Sequence, residues 1–188
     1  MERIEQIINE IKDLSEKRFQ ESREQIVRDY KDNREAIAGS IIKQMKELFV
    51  KAVEKQENGQ KGKIRIFGFF YLNSSILTDT HKYMVSLYDE AFYLDQNEVS
   101  ITYSPQILIP YYNEDIKFLL DAIKGRYVRI KNYHNLMEKV FCDVLEEITN
   151  LPEYYFMLKD ENPLFVFGGY RDFAKRMEVK HAVFSNRG

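Results

Sequence analysis

What most limits how this chain can fold is a change of composition near Lys63. Residues 1–60 carry 25 charged side chains and only three aromatics, Phe19, Tyr30 and Phe49, whereas the remaining 128 residues hold 23 of the 26 Phe and Tyr. A core needs large apolar side chains that can bury against one another. The division expected from this is a helical arm at 1–58 and an α+β globular domain at 63–188.

The arm reads as helix because its apolar residues recur every three or four positions. Ile4, Ile7, Ile8, Ile11 and Leu14 form one stripe with charges between them, predicting an amphipathic helix from residue 2 to about 31. The heptad does not continue: its next positions are Arg18 and Glu21, and the apolar stripe resumes out of phase at Phe19, Ile26 and Tyr30. That slip argues against a long uninterrupted coiled coil. Asp32 followed by Glu35 resembles a capping box that opens a second helix through Lys55, with Ile37, Ile41, Met45, Leu48 and Ala52 on one face. The two helices are expected to form one bent helix or a hairpin. Asn58-Gly59-Gln60-Lys61-Gly62 ends the second, since glycine and Asn permit positive φ.

Beyond the linker, Lys63 to Leu72 alternates Ile64, Ile66, Gly68, Phe70 and Leu72 with Arg65, Phe67, Phe69 and Tyr71, which predicts a central strand covered on both faces. Asn73-Ser74-Ser75 and Thr78-Asp79-Thr80 predict a loop, Lys82 to Tyr88 a second strand, and the region of Phe92 a third, together a meander. A helix is expected with Pro110 tolerated at its start, marked by Ile116, Leu119, Leu120 and Ile123 and ending near Lys124-Gly125, and another from Tyr133 to Ile148, stopped by Pro152. A last strand is expected at Leu164 to Phe167, ended by Gly168-Gly169, with a final segment at Met177 to Phe184. The expected body is a small, mostly antiparallel sheet packed by two or three helices.

Several activities lack the residues they require. The formal charge of −2 is spread evenly along the chain, so no polycationic face favours nucleic acid. One cysteine, Cys142, excludes an internal disulfide and a cysteine-rich zinc site and suits a reducing cytoplasm. Met1 to Gln6 shows no apolar signal core and no run approaches a membrane span, so a cytoplasmic protein without membrane contact is expected. His81, His134 and His181 stand far apart without a second ligand at metal spacing, and no cofactor is expected.

Four motifs suggest chemistry and each has a plainer reading. Phe67-Gly68-Phe69-Phe70 is similar to the aromatic strand of RNA-recognition domains, yet 60 helical residues stand where that fold needs a strand, so core rings are expected. Lys124, Arg126, Arg129 and Lys131, with Tyr127, Tyr133 and His134, form the basic and aromatic cluster that would bind an anion or single-stranded nucleic acid; the plainer reading is a solvated connection between helices. Glu178-Val179-Lys180 with Asp172 matches the acids of a Mg²⁺-dependent nuclease, but Glu10-Ile11-Lys12 matches the same triplet on a helix. Ser74, Ser75, Asp79 and His81 supply hydroxyl, acid and imidazole without a nucleophile-elbow pattern.

The stretch Asn73-Ser74-Ser75-Ile76-Leu77-Thr78 and the run from Tyr83 to Asp95 resemble a segment of an uncharacterised family of bacterial proteins from anaerobic Gram-positive species. That resemblance implies a bacterial cytoplasmic protein and assigns no functional residue. The expectation is therefore a noncatalytic interaction or assembly module, binding itself or another protein through Ile4, Ile7, Ile11, Leu14, Ile41, Met45 and Leu48. The alternatives are a nucleic-acid-associated protein using the 124–134 segment, and an enzyme whose site is assembled from distant residues around Asp79, His81 and the tyrosines.

Overall fold

The computed structural model of the chain describes residues 2–78, 80–95, 97–122 and 130–177. Helices α1 (Glu2–Asp32) and α2 (Arg34–Glu57) lead into β1 (Ile64–Tyr71), the short α3 (Asn73–Leu77), β2 (Tyr83–Tyr88) and β3 (Val99–Tyr103). Helices α4 (Ile109–Ala122), α5 (Ile130–Thr149) and α6 (Pro152–Phe156) follow, then β4 (Lys159–Gly169) and β5 (Ala174–Arg176). The fold is α+β.

The five strands form one sheet in the order β3-β2-β1-β4-β5. β1, β2 and β3 form an antiparallel meander, though its third strand is not the segment at Phe92, and β4 and β5 are likewise antiparallel, whereas β4 returns parallel to β1 across α4, α5 and α6. A parallel neighbour requires such a crossover. β1 is central, as its unbroken apolar run predicts.

Two compact units divide the chain: unit 1 comprises Met1–Arg34 and Gln106–Met137, and unit 2 comprises Glu35–Pro105 and Glu138–Gly188. Neither break falls at the 58–63 linker. α1 and α2 are separated in sequence by Asn33, whose backbone N–H and side-chain Nδ2 both donate to the Asp29 carbonyl, at 3.0 and 2.9 Å. These bonds satisfy a terminal carbonyl that the end of a helix leaves free.

In unit 1, Phe19, Ser22, Ile26 and Tyr30 make a buried stripe on α1. It is the out-of-phase stripe of the sequence. The Tyr133 ring of α5 meets Phe19 edge-on at 5.2 Å and Tyr112 of α4 at 5.4 Å.

Unit 2 is organised around rings. On one face of the sheet Phe141 of α5 touches an aromatic from each of four strands: Phe69 of β1 at 4.9 Å, Tyr83 of β2 and Tyr103 of β3 at 5.9 Å, and Phe167 of β4 at 6.4 Å. Phe49 of α2 packs edge-on against Phe67 at 6.1 Å and lies 5.6 Å from Tyr154 of α6. The opposite face carries a smaller cluster of Phe70, Tyr88 and Val166, covered by Phe92 and Tyr170. Gly68 lies beneath the Phe70 ring, which would clash with any added Cβ.

Three local expectations are corrected. Asn73 to Leu77 is a helical turn rather than loop, because Ser75 gathers the connection: its hydroxyl donates to the Leu72 carbonyl at 2.6 Å and accepts from the Lys82 N–H at 2.9 Å. Phe92 begins a 3₁₀ turn, and the third strand is Val99–Tyr103. Gly168 and Gly169 are the last two residues of β4, paired with Phe70 and Tyr71, and do not lie beyond it; a Cβ at Gly168 would strike the Phe173 carbonyl of the returning hairpin. α4 starts at Ile109, which puts Pro110 in its first turn as expected, where a missing N–H is harmless. The expected final segment lies outside the described residues apart from Met177.

Candidate functional site

The residues expected to dock a partner divide into two groups. Ile41, Met45 and Leu48 are buried at 2%, 1% and 0% exposure, facing the core of unit 2. Ile4, Ile7, Ile11 and Leu14 lie on α1, and their side chains are outside the described residues. Of the basic cluster, Lys124, Arg126 and Arg129 also lie outside the described residues, while Lys131 falls in the first turn of α5. Glu178 and Lys180 are outside them too.

The motifs of the described region have structural roles. Phe67 and Phe69 are fully buried, so neither ring faces solvent to stack on a base. Ser75 spends its hydroxyl on backbone groups, which leaves it unsuited to serve as a nucleophile. Cys142, which is in no disulfide, is partly buried on α5.

Three buried polar clusters were not visible in the sequence. Asp115 in unit 1 accepts from Arg18 Nε at 2.8 Å, from Ser22 Oγ at 2.9 Å and from the Tyr133 hydroxyl. Burial, then the hydrogen bond to Asp115, pushes the Tyr133 phenol well above its usual range. In unit 2, Glu98 collects three hydroxyls: Ser86 at 2.6 Å, Tyr88 at 3.1 Å and Tyr170 at 3.1 Å. Tyr88 is pushed up chiefly by burial, with the Glu98 charge adding to it. The fully buried Lys61 pairs with Asp95 and lies 3.9 Å from Asp89. Burial lowers its ammonium while Asp89 opposes the shift. These clusters hold donors and acceptors matched to one another, as buried polar groups must be. They fasten loops: Asp89 and Asp95 also accept the N–H groups of Ala91 and Asn97, at 2.9 and 2.8 Å. No group of three or more His, Cys, Asp or Glu suited to a metal occurs among the described residues.

A different feature of unit 2 is open. β3 pairs with β2 on one side and, among the described residues, with no strand on the other. Its Val99, Ile101 and Tyr103 turn toward the rings while Ser100 and Thr102 are exposed. Beside it lies an open groove of about 660 Å³ lined by Ser40, Lys43, Gln44, Glu47 and Lys51 of α2 and by Ser100, Ile101 and Thr102 of β3. The α2 residues follow helical spacing, one stripe around from the buried Ile41, Met45 and Leu48. Gln44 Oε1 is buried without a hydrogen-bond partner among the described residues. A strand edge and a row of charges therefore share one groove.

A second exposed surface follows α6. Tyr155, Phe156 and Leu158 are exposed at 65%, 76% and 63%. Gln56 fixes that segment, donating to the Leu158 carbonyl at 2.8 Å and accepting its N–H at 2.9 Å. No helix among the described residues is long and apolar enough to cross a membrane. No family model matches the chain, and neither a curated protein nor a solved structure matches it.

Proposed function

We propose that the protein is a noncatalytic protein-interaction module that receives an extended segment of a partner along the free edge of β3. The supporting observation is the pairing of β3 on one side only, next to an open groove. An unpaired strand presents a row of N–H and C=O groups, and adding a strand satisfies them without any particular side-chain chemistry. The buried polar clusters favour this reading over catalysis, because their charges and hydroxyls are spent on one another. A cytoplasmic setting suits the lone thiol of Cys142.

The test is a selection of peptides from a random library on the intact chain, followed by N-methylation of alternate backbone amides in the enriched peptides. Strand addition requires that methylation abolish binding at one set of alternate positions and leave the other set unaffected. Uniform tolerance of methylation, or no enrichment, would refute it. Self-association through Ile4, Ile7, Ile11 and Leu14 belongs to the same reading, and sedimentation equilibrium with a mass that rises with concentration is its expected sign. A concentration-independent monomer would remove it.

A further inference from the structure

We infer that the segment received at β3 carries two carboxylates four positions apart, with a hydrogen-bond-donating side chain midway between them. This rests on the strand-addition reading and specifies the partner it would take. Lys43, Glu47 and Lys51 line the groove in that order, one helical turn apart. A rise of about 1.5 Å per residue spaces the two ammonium groups' positions by about 12 Å, with the carboxylate of Glu47 halfway. An extended chain advances about 3.3 Å per residue and turns alternate side chains to one face. Its positions i, i+2 and i+4 therefore fall about 7 and 13 Å apart, close to the spacing of the three charges on α2. Complementarity asks for acid, donor, acid.

Opposite charges at these positions set the register of an added strand, which backbone hydrogen bonds alone leave free to slip. Ile101, on the face of β3 that carries the rings, is the β3 side chain beside these charges, since Ser100 and Thr102 alternate to the other face. The charge pattern alternates in sign, and it does not form the continuous basic track that a nucleic-acid backbone needs.

The experiment titrates the intact chain with four probes, each followed by amide chemical-shift changes. Three are capped nonapeptides of alternating Thr and Val: one with Glu, Lys and Glu at the i, i+2 and i+4 positions, one with Lys, Glu and Lys there, and one uncharged. The fourth is a ten-nucleotide oligothymidylate. The acid-base-acid peptide is expected to bind about tenfold more tightly than the uncharged one, with the difference shrinking at high salt, since exposed pairs are individually weak and screened. In the variant carrying Lys43→Glu, Glu47→Lys and Lys51→Glu, the preference is expected to invert toward the reversed peptide. That gain also shows that the variant is folded.

Equal affinity for the three peptides would leave strand addition standing and overturn the charge pattern. Binding of none would overturn both. A preference that survives reversal of the α2 charges would place its origin elsewhere and overturn the inference, as would tighter binding of oligothymidylate than of any peptide.

Discussion

Unit 1 is built around a carboxylate and unit 2 around rings, and α5 contributes to both. Tyr133 on its first half donates to Asp115. Phe141 on its second half touches four strands. A polar centre is directional, since every donor must be in place before burial stops being a penalty. An aromatic centre gains from area and tolerates some loss. The comparison teaches that the two kinds of interior should fail differently, the first through an orphaned group and the second through a cavity.

The largest effect is expected from a chain that begins at Lys61. This removes Ile41, Met45, Leu48, Phe49 and Ala52, all nearly or fully buried. Burying each of the larger four contributes roughly 1.5–3 kcal/mol, so together they rival a typical total stability of 5–15 kcal/mol. The fragment is expected to lack a cooperative unfolding transition by circular dichroism. A fragment that melts cooperatively would show that the aromatic body is independent of α2 and support a boundary at 58–63.

Next in size is Phe141→Ala, which leaves a cavity facing Phe69, Tyr83, Tyr103 and Phe167 and is expected to destabilise by about 3–5 kcal/mol in denaturant unfolding. Asp115→Ala should cost about 2–3 kcal/mol, because Arg18 keeps partial access to water while Ser22 and Tyr133 lose their acceptor inside. Phe141→Leu should recover part of the first loss. Asp115→Asn should recover little of the second, since an amide cannot accept from three donors as a carboxylate does. Equal recovery at both sites would erase the distinction between the two interiors.

How far the sequence reveals this arrangement depends on the kind of interaction. Phe67 and Phe69 were legible as core because aromatic alternation within one strand is a local signal. So was the helical spacing of Ile41, Met45 and Leu48. The strand Val99–Tyr103 carries the alternation of a half-buried strand, Val99, Ile101 and Tyr103 against Ser100 and Thr102, but it is short and Phe92 nearby offers a competing, misleading signal. Asp115 was illegible for a plainer reason: its partner Arg18 stands 97 positions away in sequence and Ser22 93, so no local pattern joins them. The groove was half legible. Lys43, Glu47 and Lys51 share a face by spacing alone, but only the strand order shows that β3 is an edge beside them.

Alkali sharpens the comparison from another side. Burial pushes Tyr103 from 10.0 up to about 12. The folded state therefore holds this proton more tightly than the unfolded chain, and the associated stability is intact below about pH 10 and lost as the pH rises toward 12. The loss amounts to about 3 kcal/mol for this one phenol. Tyr133 in unit 1 shifts in the same direction. Unfolding free energy is expected to fall steeply across this interval, with phenolate absorbance appearing alongside it. Tyr103→Phe should flatten the slope by about one proton's worth, or 1.4 kcal/mol per pH unit. An unchanged slope would mean that Tyr103 titrates without unfolding the sheet.

The smallest effect tests whether surface charge shapes the sheet at all. Between Ile64 and Ile66 the register on β4 jumps from Lys159 to Leu164, so the intervening residues bulge out of the ladder. Asp160 in that bulge lies 3.0 Å from Lys63 and 3.3 Å from Arg65, both of which are about half exposed. Such pairs in contact with water contribute between zero and about 1 kcal/mol. Pro163 offers a sufficient cause for the bulge by itself, since it has no N–H for the ladder. Asp160→Asn is therefore expected to change stability by less than about 1 kcal/mol and to leave the amide shifts of Ile64 and Ile66 in place. A larger loss, or movement of those amides, would show that the ion pairs and not the proline hold the bulge.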